Sequence, residues 1–139
     1  MGAHGQHVLI VEEGTARQAV FELVMQRTGR RATLATNYAE AVAVLRSSLH
    51  PLVVYVNAAL PLEGDTRGSL LLELLGNPEF AATDAFIISS TLDPDLEGDL
   101  RKRVAQRGAG YAEWLRLPAK VSQMIAAQEQ AEAWLKARG

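Results

Sequence analysis

Pro51-Leu52-Val53-Val54-Tyr55-Val56-Asn57 is an apolar run that stops on a side-chain amide, and Ala58-Ala59-Leu60-Pro61 follows it. The run is rich in β-branched residues and lacks polar alternation. It therefore reads as a strand buried on both faces, as in a parallel sheet covered by helices on each side. Val8-Leu9-Ile10-Val11 is a second such run and ends in the acid pair Glu12-Glu13. Ala85-Phe86-Ile87-Ile88 is a third and ends at Ser89-Ser90.

Helical patterns fill the intervals. Thr15 is placed to cap a helix through about Thr28, with Ala16, Ala19, Val20, Leu23 and Val24 at helical spacing and Gly29 as its stop. Arg31 to Ala35 reads as a short strand. Asn37 is placed to cap a helix through about Leu49, with Ala41, Val42, Val44 and Leu45 inward. A loop over 60–68 and a helix over 69–75 follow. A charged helix starts at Asp93 or Asp95 and runs to about Arg107, and a strand spans about Ala112 to Leu117. Within that helix Arg101-Lys102-Arg103 reads as a solvated face rather than a recognition patch.

The final helix is expected from Pro118 to about Ala137. Val121, Met124, Ile125, Gln128, Ala131 and Leu135 form its apolar stripe, while Lys120, Gln123, Glu129 and Glu132 face water. Strands alternating with helices imply an α/β fold, a doubly wound five-stranded parallel sheet of the flavodoxin-like class with strand order 2-1-3-4-5. Sites in such sheets form at the carboxyl ends of the strands, where the order switches direction. Glu12, Glu13, Asn57 and Ser89 stand at those ends and are expected to converge.

The 139 residues suit one domain, expected over 7–139 after a disordered lead-in at 1–6. A net charge of −2 gives no basic field for nucleic acid or anionic lipid. With no cysteine there is no disulfide or thiol chemistry, which fits a cytoplasmic protein. Neither a signal peptide nor a membrane-spanning stretch is evident. His4 and His7, in the lead-in, and His50, exposed at a strand entrance before Pro51, are not expected to be metal ligands. Ser89-Ser90-Thr91 lacks a His-Asp partner set, and no Gly-rich phosphate loop follows the first strand.

Taken together, these landmarks resemble the receiver (CheY-like) domain of two-component response regulators, from about Val8 to Trp134. Glu12-Glu13 matches the acid pair that holds Mg²⁺ in that family, and Asn57 stands where the phospho-acceptor Asp does. Ser89 (or Ser90) matches the hydroxyl that binds the phosphoryl oxygen, and Gly108-Ala109 matches the Gly-Ala before the last strand. Leu117-Pro118 stands at the family's Lys-Pro, with Trp114 near the aromatic switch position.

Two departures remove the chemistry that the resemblance implies. An amide has no ionised oxygen to attack phosphorus. Leu117 also cannot neutralise a phosphoryl group as an ammonium does, and neither Arg116 nor Lys120 stands at the matching position. The chain thus resembles a degenerate pseudo-receiver with no enzymatic activity and no required cofactor. Glu12, Glu13 and the Asn57 carbonyl oxygen make at most a weak Mg²⁺ site.

The expected function is a phosphorylation-independent protein-interaction module in bacterial signal transduction. The alternative is a receiver that retains Mg²⁺ and a phosphorelay role through another acceptor, such as Glu13, Glu63 or Asp65. The resemblance implies a partner face on the fourth helix, fifth strand and fifth helix, here Trp114, Leu115, Met124 and Trp134. It would be used for a signalling protein or a second copy. Trp134 has a competing reading, folding back onto the core.

Overall fold

The computed structural model describes residues 7–13, 15–47, 53–58, 71, 73–74, 85–90, 94–107, 110, 112–116 and 119–138. The expected lead-in at 1–6, the loop at 60–68, Gly108-Ala109, Leu117-Pro118 and the alternative acceptors Glu63 and Asp65 lie outside them.

Five strands form one parallel sheet: β1 (His7–Val11), β2 (Arg31–Ala35), β3 (Val53–Asn57), β4 (Ala85–Ser90) and β5 (Ala112–Arg116). Their order is β2-β1-β3-β4-β5, as expected from the sequence. Four helices are delimited: α1 (Thr15–Arg27), α2 (Tyr38–Ser47), α3 (Pro94–Arg107) and α4 (Val121–Arg138). Leu71, Glu73 and Leu74, within the expected helix at 69–75, are also helical.

Strand pleat divides the core in two. Leu9, Val11, Val54, Val56, Phe86 and Ile88 pack with Ala41, Leu45, Leu71, Leu74, Leu100 and Val104 on one face. Val8, Ile10, Val53, Tyr55 and Ile87 pack with Phe21, Met25, Met124, Ala127 and Ala131 on the other. Each fully buried aliphatic side chain contributes on the order of 1.5–3 kcal/mol, so the central strands dominate stability. Tyr55 joins sheet to helices: its ring centroid lies 4.9 Å from that of Phe21, and its hydroxyl donates to the Met124 carbonyl at 3.0 Å.

Helix ends follow local chemistry. Asn37 caps α2, its Oδ1 accepting from the Glu40 amide at 2.9 Å, and the Glu40 carboxylate reaches back to accept from the Thr36 amide at 2.7 Å. Gly29 closes α1 at φ 79°, with Arg30 N donating to Met25 O and Gly29 N to Gln26 O. That paired 6→1 and 5→2 pattern needs a left-handed residue, which glycine adopts without a Cβ clash.

Three sequence expectations need correction. The inward face of α1 is Gln18, Phe21, Val24 and Met25; Ala16 and Ala19 are exposed, as are Val20 at 46% and Leu23 at 48%. Phe21 and Met25 fill more space beneath the helix than the smaller residues, and the buried Gln18 amide has a backbone partner at Glu12. Helix α4 starts at Val121, three residues later than expected, because the Gln123 side chain accepts the Lys120 amide at 2.7 Å and makes Lys120 the cap. Val121 is consequently 53% exposed. Glu132 is drawn inward by Arg30 rather than facing water.

Candidate functional site

β1 and β3 are hydrogen-bonded neighbours, so their ends meet at the point where strand order switches. Glu12 follows β1 directly, its amide donating to Ala35 O at 3.0 Å as if the β1–β2 ladder ran one residue further. Gln18, from the first turns of α1, donates through Nε2 to the Glu12 carbonyl at 2.6 Å. This bond fixes the Glu12 backbone and explains why a polar residue sits on the inward face of α1. Sequence reasoning assigns Gln18 no role; its spacing from Glu12 is the only signal that could have found it.

Asn57 ends β3 in register with Ser89 of β4. Its Nδ2 donates to both Glu12 carboxylate oxygens, at 3.1 and 2.9 Å, and the Glu13 amide donates to Oε1 at 3.0 Å. Glu12 and Asn57 are each 1% exposed. A carboxylate this deeply buried is costly unless N–H groups surround it, and here the amide supplies them. The opposite amide orientation would set Oδ1 against two anionic oxygens. Ser89 is also buried, and its carbonyl accepts the Ala58 amide at 2.7 Å, holding the residue after Asn57 against β4.

Glu12, Asn57 and Ser89 are thus brought together, whereas the Glu13 side chain is exposed. Among the described residues, no group of three or more His, Asp or Glu side chains is placed to hold a metal ion. A Mg²⁺ bound by Glu12 and the Asn57 carbonyl would need Oδ1 directed at the ion. The amide presents Nδ2 to Glu12 instead, so holding the ion there would require the amide to turn and give up both of these hydrogen bonds. Arg116 offers no inward cation either, because its guanidinium is held by Glu97 at 2.7 Å. Lys120 is exposed.

The expected partner-face residues are placed unequally. Leu115 and Met124 are buried in the core under α4, so their side chains do not form a surface in the monomer. This corrects the sequence reading: β5 alternates, and Leu115 points to the α4 side. Trp134 is half-buried against the same cluster, which is the fold-back arrangement. Trp114 packs half-buried on the opposite face, beneath Arg101 of α3. Arg101 is therefore more than part of a solvated run, and the Glu97–Arg101 spacing of one helical turn is the sequence signal for its role.

No protein-family model and no curated protein matches this sequence. Similarity emerges among solved structures. The chain is similar to a CheY-like response regulator receiver domain protein from Methanospirillum hungatei JF-1, with TM-score 0.78, 16% identity, and coverage of 96% of this chain and 98% of that one. It is similar to a CheY-like receiver domain from Methylobacillus flagellatus, with TM-score 0.68 at 21% identity over 91% of this chain and 98% of that one. It is also similar to chemotaxis protein CheY4 from Vibrio cholerae, with TM-score 0.72 at 15% identity over 91% and 98%. The fold is that of CheY-like receiver domains.

Proposed function

We propose that the chain is a receiver-fold module that works by binding another protein, without phosphorylation, in a bacterial cytoplasmic signalling pathway. The observation that carries this reading is the donation of Asn57 Nδ2 to both oxygens of Glu12. At the strand end where an aspartyl phosphate would form, the side chain has no nucleophilic oxygen, and its hydrogens already compensate the neighbouring carboxylate. The module has no catalytic step of its own. Its partner is a signalling protein or a second copy of the chain, met on the outward parts of α3, β5 and α4. No described helix is long and apolar enough to cross a membrane.

Two-dimensional amide NMR with Mg²⁺, then beryllofluoride, tests the reading, alongside intact-mass measurement after acetyl phosphate treatment. The expected result is an unchanged mass and no shifts at Glu12, Glu13, Asn57, Ser89 and Trp114. A stable mass gain of one phosphoryl group, or beryllofluoride shifts spreading from Asn57 to Trp114, would sink it and bring forward a phosphorelay role.

A further inference from the structure

The outward side of α1 carries Ala16, Ala19, Val20 and Leu23, at the spacing of one continuous helical stripe. Among the described residues only three large apolar side chains are strongly exposed, and Val20 and Leu23 are two of them. The inner side of the same helix is already filled by Phe21, Val24 and Met25. Apolar residues scattered singly over a surface need no explanation, whereas a joined stripe marks a contact. α1 is thus apolar on the side turned away from the sheet as well as on the side packed against it.

The stripe also has a direction. Its bulk grows along the helix, from Ala16 and Ala19 to Val20 and Leu23, and the exposed Arg27 continues it one turn further. The exposed Glu13 stands just ahead of the helix at the other end. Neither Glu13 nor Arg27 has an ion-pair partner among the described residues.

A second α1, turned antiparallel about a point between Ala19 and Val20, complements both the shape and the charge. Leu23 of one copy falls on Ala16 of the other, and Val20 falls on Ala19, so large meets small in every layer. Two-fold symmetry makes each contact twice. At a rise of 1.5 Å per residue, Arg27 lies about 11 Å along the axis from that midpoint, where the other copy places Glu13. A parallel pair would set Leu23 on Leu23 and gather like charges at each end.

We propose that α1 is the contact face of a symmetric antiparallel dimer, its occupant a second copy of this chain. Ala16, Ala19, Val20 and Leu23 form the apolar centre, and Glu13–Arg27 ion pairs between the copies close both ends. The outward parts of α3 and β5 then remain for another protein. The dimer uses no atom of the Asn57 amide, and it stands or falls separately from the binding-module reading. One helix pair is a small interface, so the association is expected to be weak and readily exchanging.

Sedimentation velocity of the full chain, from about 10 μM to 1 mM, should show a monomer–dimer equilibrium. Leu23→Glu places a charge in the apolar centre and should raise the dissociation constant on the order of tenfold or more. Glu13→Arg alone and Arg27→Glu alone should each weaken association at low salt, and the two together should restore it. Orientation is read by cysteine cross-linking, since the chain has no cysteine of its own. Under mild oxidation Ala16→Cys mixed with Leu23→Cys should give a disulfide-linked pair faster than either variant alone. A parent that stays monomeric over the whole range overturns the proposal, as does a dimer that Leu23→Glu leaves intact. Cross-linking of Ala16→Cys alone that outpaces the mixture overturns the antiparallel pairing. All these positions are exposed; should Leu23→Glu nevertheless aggregate, the charge exchange decides, and a double variant no stronger than the single ones overturns the pairing.

Discussion

Arg30 and Glu132 form a two-pronged ion pair across 102 residues of sequence, Nε to Oε2 at 2.6 Å and Nη2 to Oε1 at 2.7 Å. Arg30 follows the glycine turn that closes α1, and Glu132 lies on α4, so the pair fastens the two helices that cover one face of the sheet. Gln128 adds a third donor to Oε2 at 2.8 Å. Both side chains are nearly buried, and the hydrogen bonds to Glu132 push the guanidinium further up than its ordinary pKa. Glu132→Ala strands a buried cation and should cost about 3–5 kcal/mol in urea denaturation. Arg30→Met combined with Glu132→Leu should recover most of that loss, because no uncompensated charge remains.

Asn57→Asp sets a second carboxylate against Glu12 where the amide now donates two hydrogen bonds. At about 4 Å, that repulsion amounts to about 1–4 kcal/mol, depending on screening. The variant should be destabilised by this amount at pH 7. Its raised folded-state carboxyl pKa means stability returns as pH falls and is lost as pH rises. Thermal unfolding at pH 5 and pH 7, each with and without Mg²⁺, checks this. The expected pattern is a gap from the parent that narrows at pH 5, and narrows at pH 7 when Mg²⁺ is added.

Burial pushes the Tyr55 phenol well above the ordinary tyrosine range, Arg30 partly offsets this, and Glu132 adds to it. A folded-state pKa above the unfolded value means that the contribution to stability is complete below about pH 10 and lost as pH rises beyond it. In an alkaline titration followed by tyrosinate absorbance, one ionisation should coincide with unfolding. Tyr55→Phe should remove that step.

Two glycines should respond in opposite directions. Gly98 lies inside α3, and a Cβ added there meets nothing within 4 Å. Gly98→Ala should therefore stabilise by about 0.5–1 kcal/mol, read as a higher urea midpoint at constant slope. Gly29 has φ 79°, so Gly29→Ala should cost about 1–2 kcal/mol.

The sheet is legible in the sequence because uninterrupted apolar runs, spaced by helical segments, leave few topologies that cover both faces. Strand order in turn implies that Glu12, Asn57 and Ser89 meet. Helix faces are less legible. On α1 the count of apolar residues favours Ala16, Ala19, Val20 and Leu23, yet the larger Phe21 and Met25 take the interior with Gln18. Gln18 is inward because a backbone carbonyl six residues earlier takes its hydrogen bond, which no hydropathy pattern encodes. Glu132 reads as water-facing for the same reason: its partner Arg30 is remote in sequence. At the site, spacing places an amide beside a carboxylate but does not say which end of the amide faces it.

The Asn57 amide has a further consequence under the proposed reading. A diffusible cation fills a pocket in proportion to its concentration and can be withdrawn by a chelator. A side chain arrives with the polypeptide, one per copy, and cannot be titrated away. The folded stability of this domain should therefore be indifferent to EDTA. Its output would be graded by how many molecules the cell makes rather than by what fraction of them has been charged.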